Sequence, residues 1–130
     1  MERKSGYIKP KAAEDRVKMT LQREFGQEFT KQSIKIGNED REFDLVSDDN
    51  AVIAQVKTCQ KKSEDINGSQ RVTRYKRYIF DCLLLDMAPK PAKHRIFYLF
   101  ADKSEFKKFQ EWSLGLISPK VEVKFRDAWK

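Results

Sequence analysis

Residues 41–58 constrain this chain more than any other stretch. Two alternating apolar segments flank a cluster of turn formers, Ser47-Asp48-Asp49-Asn50, which predicts two strands joined by a polar loop. In the second strand Val52, Ala54 and Val56 share one face, while Ile53, Gln55 and Lys57 share the other. In the first strand Phe43 and Leu45 fall on one side and Asp44 on the opposite side. With residues 47–50 as the loop, Val46 pairs with Ala51 and Asp44 with Ile53. Asp44 then lies diagonally from Gln55 on one face, roughly 7 Å away. A slip of one residue would carry Phe43 and Leu45 onto that polar face, so the apolar pattern supports this pairing. The hairpin therefore offers one apolar face and one that carries an acid, an amide and a lysine.

Such a set suits a hard cation and a phosphate. Mg²⁺ takes oxygen ligands, usually one or two carboxylates completed by waters and substrate phosphate. Asp44 supplies a carboxylate, Gln55 a neutral carbonyl oxygen, and Val56 its backbone carbonyl. Lys57, on the same face as Gln55, brings an ammonium that can orient a water or neutralise developing charge. The bland reading of these residues is an amphipathic hairpin with its polar side in solvent.

Asp44 followed by Gln55-Val56-Lys57 resembles the core of the PD-(D/E)xK nuclease superfamily. The variant with glutamine in the acidic slot is similar to Mrr-type restriction enzymes and some intron-encoded homing endonucleases. Phe43 stands where that pattern has proline, and Gln55 removes one negative charge. The resemblance implies an α/β fold, a restriction-endonuclease-like αβββαβ core with a central mixed sheet flanked by helices. It also implies a Mg²⁺-dependent endonuclease, with Mn²⁺ as a substitute metal, that hydrolyses DNA phosphodiester bonds by attack of a metal-activated water. An acidic residue of the first helix often completes the metal site in that superfamily. Glu14 matches that place, ahead of Asp15, and Glu24 and Glu28 lie farther along. Glu14, Asp44, Gln55 and Lys57 are then the catalytic set. One active site in a small chain implies a homodimer, or a recruited partner, for cutting two strands. A nuclease-like module that binds nucleic acid without cutting it is the main rival, and RNA is not separated from DNA as the substrate. A plain interaction module, its basic face merely solvated, is a third possibility.

The rest of the chain supplies the context. Residues 1–9 read as a loose basic arm ending at Pro10. Ala13, Val17, Leu21 and Phe25 then recur every four residues until Gly26, which predicts a helix with Glu14 beside the buried stripe. Such an acid is commonly a first-turn residue favoured by the helix dipole. Residues 29–36 alternate as an edge strand with Ile34 and Ile36 inward, and residues 37–40 form a turn. Asn67-Gly68-Ser69 is a break and helix cap. Val72, Tyr75, Ile79, Cys82, Leu83 and Asp86 fit a helix over about 69–88 stopped by Pro89, although residues 78–85 also read as a buried strand. Residues 93–101 form an apolar strand. A helix opens at Asp102 with Phe106, Phe109 and Trp112 on one side and ends at Gly115. Val121, Val123 and Phe125 mark a last strand.

The 130 residues fit one domain with a modest core. Charge is +7, and its position is more telling than its size. Lys57, Lys61, Lys62, Arg71, Arg74, Lys76 and Arg77 face only Glu64 and Asp65 in that stretch, directly after the hairpin. Lys61, Lys62, Arg71, Arg74, Lys76 and Arg77 are therefore the candidate phosphate contacts. His94 is the lone histidine, which disfavours nuclease chemistries that use histidine as base or ligand. Cys59 and Cys82, far apart and outside any CxxC, point to a reducing compartment, the cytoplasm, and to no zinc site. No apolar run reaches the length of a membrane span, and the first residues carry no signal-peptide pattern.

Overall fold

The structure is a computed structural model and describes residues 6–129. Its elements are α1 (Pro10–Phe25), β1 (Phe29–Ile36), β2 (Glu39–Ser47), β3 (Val52–Thr58), α2 (Gly68–Met87), β4 (His94–Ala101), α3 (Lys103–Trp112) and β5 (Val121–Asp127). The order αβββαβ is thus followed by one more helix and strand. The five strands form a single mixed sheet in the order β1-β2-β3-β4-β5. β1, β2 and β3 pair antiparallel, whereas β3–β4 and β4–β5 are parallel. A parallel pair needs a crossover, and α2 and α3 supply the two.

β3 and β4 lie mid-sheet with both faces covered, so Val52–Val56 and Ile96–Ala101 are almost continuously apolar rather than alternating. On one face α1 sets Ala13, Val17 and Leu21 against Leu45, Val52, Ala54, Val56, Ile96, Tyr98 and Phe100. On the other, α2 and α3 bring Tyr75, Tyr78, Cys82, Leu85 and Phe109 onto Phe43, Val46, Ile53, Phe97 and Leu99.

Local chemistry explains the helix ends. Pro10 opens α1, where its missing N–H costs nothing. Gly26 closes it in the left-handed region at φ 65°, its N–H bonded to the Gln22 carbonyl at 2.9 Å. Asn67 and Gln70 cap α2 reciprocally, since each side chain accepts from the other's backbone N–H. Residues 78–85 are therefore helix, and Pro89 lies just past its end.

Four expectations are corrected. Only residues 1–5 of the supposed arm lie outside the described residues. Ile8 is fully buried and its N–H bonds the Ala128 carbonyl at 2.8 Å, so the segment before α1 is tied to the end of the chain. Glu14 lies beyond the first turn of α1, which holds no acid, so a helix-dipole role does not account for it. The buried stripe of α2 is rotated from the expected one. Val72 and Leu83 are exposed, while Tyr78, Asp81, Leu84 and Leu85 face inward. Phe43 and Leu45 lie on opposite faces of the sheet, in different apolar clusters. The reason is a β-bulge. Thr30 pairs with Val46 but Gln32 with Phe43, so β2 spends one extra residue around Asp44 and Leu45.

Candidate functional site

The bulge lies where the chemistry gathers. β2 and β3 pair through Val46–Ile53 and Leu45–Ala54, two residues from the expected register. A shift of two still leaves Val46 on the face of Ile53 and Leu45 on that of Ala54, because the side-chain period is two. The loop is longer than the turn formers alone suggest, since the Ser47 hydroxyl accepts from the Val52 N–H and Asp49 from the Ala51 N–H. The paired rungs stop at Leu45–Ala54, and Asp44, next along β2, meets β3 through side-chain bonds.

Beyond that rung side chains replace the backbone ladder. Gln55 Oε1 accepts from the Asp44 N–H at 2.8 Å, and Gln55 Nε2 donates to the Glu42 carbonyl at 3.4 Å. Asp44 Oδ2 accepts from the Val56 N–H, also at 2.8 Å. Gln55 is only 6% exposed, and an amide suits its place because it both accepts and donates there. A carboxylate could only accept. Gln55 is thus a clip between strands as well as a candidate ligand.

Glu14, on α1, feels the charge of Asp44. Its carboxyl is held above its ordinary value, first by partial burial and then by the negative charge of Asp44, with Lys31 and Lys11 acting oppositely. Two neighbouring carboxylates of one sign, one fixed against the Val56 peptide, fit a hard divalent cation completed by waters and phosphate. Glu14 and Asp44 would hold it, with the Gln55 and Val56 carbonyls as candidate further donors. Among the described residues no three acidic, histidine or cysteine side chains converge tightly enough to hold a metal unaided.

Lys57 extends from β3 toward α2, where its Nζ lies 3.2 Å from Asp81 Oδ2. Lys57, Asp81, Thr73, Lys76, Arg77 and Phe80 line an open groove of about 430 Å³. Arg74 and Arg77 line an adjoining hollow with Ser69, Gln70 and Thr73. Arg41 of β2 stacks its guanidinium over the Phe80 ring, 5.6 Å from the centroid. Lys76, Arg77 and Arg74 are therefore placed along one side of the candidate site. Lys61 is exposed on the loop after β3, and Lys62 lines a separate hollow with Tyr7, Glu64 and Asp102.

Arg71 is not available as expected. Its Nε meets Glu105 at 3.0 and 3.2 Å and a terminal nitrogen bonds the Ser63 carbonyl at 2.6 Å, so its charge is spent inside the fold.

Asp81 and Glu105 were not singled out from the sequence. The signal for Asp81 was present, since it lies three residues after Tyr78 and four before Leu85, both buried. Burial holds the Asp81 carboxyl above its ordinary 3.8, Lys57 pulls it down, and Asp44 adds to the rise. A carboxyl raised in the fold contributes most stability below its unfolded value and loses it as pH climbs. Asparagine has no such proton to lose. The melting temperature of Asp81→Asn is therefore expected to gain on wild type as pH climbs from the ordinary carboxyl value of 3.8. A calorimetric pH series checks this, and a flat or opposite trend would refute it.

Gln55→Glu is expected to cost about 1 kcal/mol in chelator, from the lost Glu42 contact and a third negative charge. Mg²⁺ should restore more melting temperature to this variant than it adds to wild type, as fluorimetry with and without metal would show.

Among protein-family models, curated proteins and solved structures, nothing matches this chain. Among the described residues no helix is long and apolar enough to cross a membrane.

Proposed function

We propose that this protein is a Mg²⁺-dependent DNA endonuclease. The observation that carries the reading is the clip between β2 and β3, which fixes Asp44 against Gln55 and Val56, one residue from Lys57 at the mouth of a basic groove, with Glu14 of α1 feeling the charge of Asp44. When bound, the metal supplies charge neutralisation at the phosphate and a more acidic water. The chain's own residues do the rest. Glu14 and Asp44 present oxygens to the metal, and Gln55 and the Val56 peptide keep Asp44 in place. Lys57 directs an ammonium at the groove, where it orients a water or balances charge on the scissile phosphate. Lys76, Arg77 and Arg74 grip the backbone without reading sequence, so binding weakens steeply with salt. Two copies, each with one site, would cut both strands of a duplex. Cytoplasmic residence fits two buried, unpaired thiols, Cys59 and Cys82.

A non-cleaving nucleic-acid-binding module is the second reading. It is favoured by the engagement of Gln55 Oε1 with a backbone donor and by the pairing of Lys57 with Asp81. The deciding experiment incubates the protein with supercoiled plasmid, linear duplex, a four-way junction and duplex RNA, each with Mg²⁺, Mn²⁺ or chelator. Metal-dependent cleavage supports the nuclease and its preferred substrate names the subclass. Binding without cleavage under every metal transfers the assignment to the second reading.

A further inference from the structure

Asp81 is only 7% exposed, on the inward face of α2. A buried carboxylate costs free energy unless it is hydrogen-bonded or paired. Asp81 Oδ2 has no hydrogen-bond partner among the described residues, and its compensation is the ion pair at 3.2 Å with Lys57. The lysine is asymmetric to this, with 42% of its side chain in solvent. A long flexible side chain thus rises from a central strand and is anchored at its tip by an acid from a different element. The anchored tip opens on the groove that also holds Lys76 and Arg77. A surface lysine needs no such partner for solubility, and the other buried residues of this part of α2, Tyr78, Cys82, Leu84 and Leu85, are mostly apolar.

We propose that Asp81 is the positioning residue for Lys57, fixing its ammonium at the mouth of the groove where the phosphate backbone would lie. The inference rests on the nuclease reading for its consequence and on the ion pair for its geometry. Asp81 acts through Lys57 in this proposal. Misplacing a reacting group by about 1 Å can cost on the order of 100-fold in rate. Loss of the anchor therefore lowers kcat with little change in KM, because Lys76, Arg77 and Arg74 still hold the backbone.

The test uses the full chain with Asp81→Asn, which nearly keeps the shape, and Asp81→Leu, which fills the space with apolar atoms. Three quantities are measured: Mg²⁺-dependent plasmid cleavage, thermal melting, and the rate at which a succinimidyl acetate acetylates Lys57, read by peptide mass spectrometry. The expected result is a kcat lower by about 10- to 100-fold, with KM within about threefold of wild type. Melting should be unchanged or raised at neutral pH, and Lys57 should acetylate at least about threefold faster once its tip is no longer held by Asp81. A merely structural acid would instead lose melting temperature and activity together. Wild-type kcat in a folded variant, or unchanged Lys57 acetylation, overturns the proposal. If the wild type itself cuts nothing, the nuclease reading has failed and acetylation alone decides the anchor: faster labelling upholds it and unchanged labelling overturns it.

Discussion

Asp44→Asn is expected to lower metal-dependent cleavage on the order of 1,000-fold while leaving thermal melting close to wild type. The substitution separates the two duties of this side chain. Asparagine keeps an oxygen that can accept from the Val56 N–H, so the clip between β2 and β3 survives. It removes the negative charge that, with Glu14, would hold the proposed divalent cation. Asp44→Ala removes both and should also lose about 1–3 kcal/mol, the cost of leaving a partly buried N–H without an acceptor. Lys57→Ala completes the comparison, since it leaves the carboxylates intact and should still abolish cutting with most duplex affinity retained. The measurements are plasmid cleavage with Mg²⁺, duplex binding at several salt concentrations, and melting of each variant. Retained cutting by both folded Asp44→Asn and Lys57→Ala would remove the site assignment. Binding without cutting by wild type would favour the non-cleaving module.

Glu105→Ala should be the most destabilising single change outside the apolar core, by about 3–5 kcal/mol. Glu105 is 1% exposed and accepts from three side chains at once, two of α2 and one of the loop before it. Ser63 Oγ donates at 3.0 Å, the Tyr75 hydroxyl at 2.8 Å, and Arg71 Nε at 3.0 and 3.2 Å to its two oxygens. Lys108 adds a further bond to the Ser63 hydroxyl at 2.8 Å. Truncation leaves the Arg71 guanidinium, with only 20% of its side chain exposed, without its countercharge. Glu105→Gln keeps the shape and part of the bonding, so it should fall between. Burial first, then the bond and charge of Glu105, push the Tyr75 phenol well above its ordinary 10.0. Wild-type stability should therefore fall as pH climbs past about 10, and that fall should be shallower in Glu105→Ala. Urea titrations followed by circular dichroism at neutral and alkaline pH check both statements. A loss under about 1 kcal/mol in Glu105→Ala would show the network to be dispensable. The same network explains why Arg71→Ala should read first as a stability loss rather than as weaker duplex binding.

Local pattern carried much of the architecture. Pro10 and Gly26 mark the ends of α1, Asn67 caps α2, and the apolar period of Val52, Ala54 and Val56 sets the faces of β3. These features depend on backbone dihedrals, caps and residue spacing, which are written in neighbouring residues. The face shared by Gln55 and Lys57 was legible for the same reason.

Pairing between distant segments was not legible in that way. The bulge at Asp44–Leu45 depends on how many residues β1 offers opposite β2, so alternation alone placed Phe43 and Leu45 together wrongly. The hairpin register moved by two residues because Ser47 and Asp49 bond the start of β3. The inward side of α2 is set by β3, β4 and α3, which turned Asp81 toward Lys57 and Val72 toward solvent. Arg71 looks like any basic surface residue until Glu105, far along the chain, is folded against it. Periodicity thus determined which elements form and which residues share a face. Tertiary packing alone decided which face meets which partner, because burial and charge pairing are properties of segments brought together, not of either segment by itself.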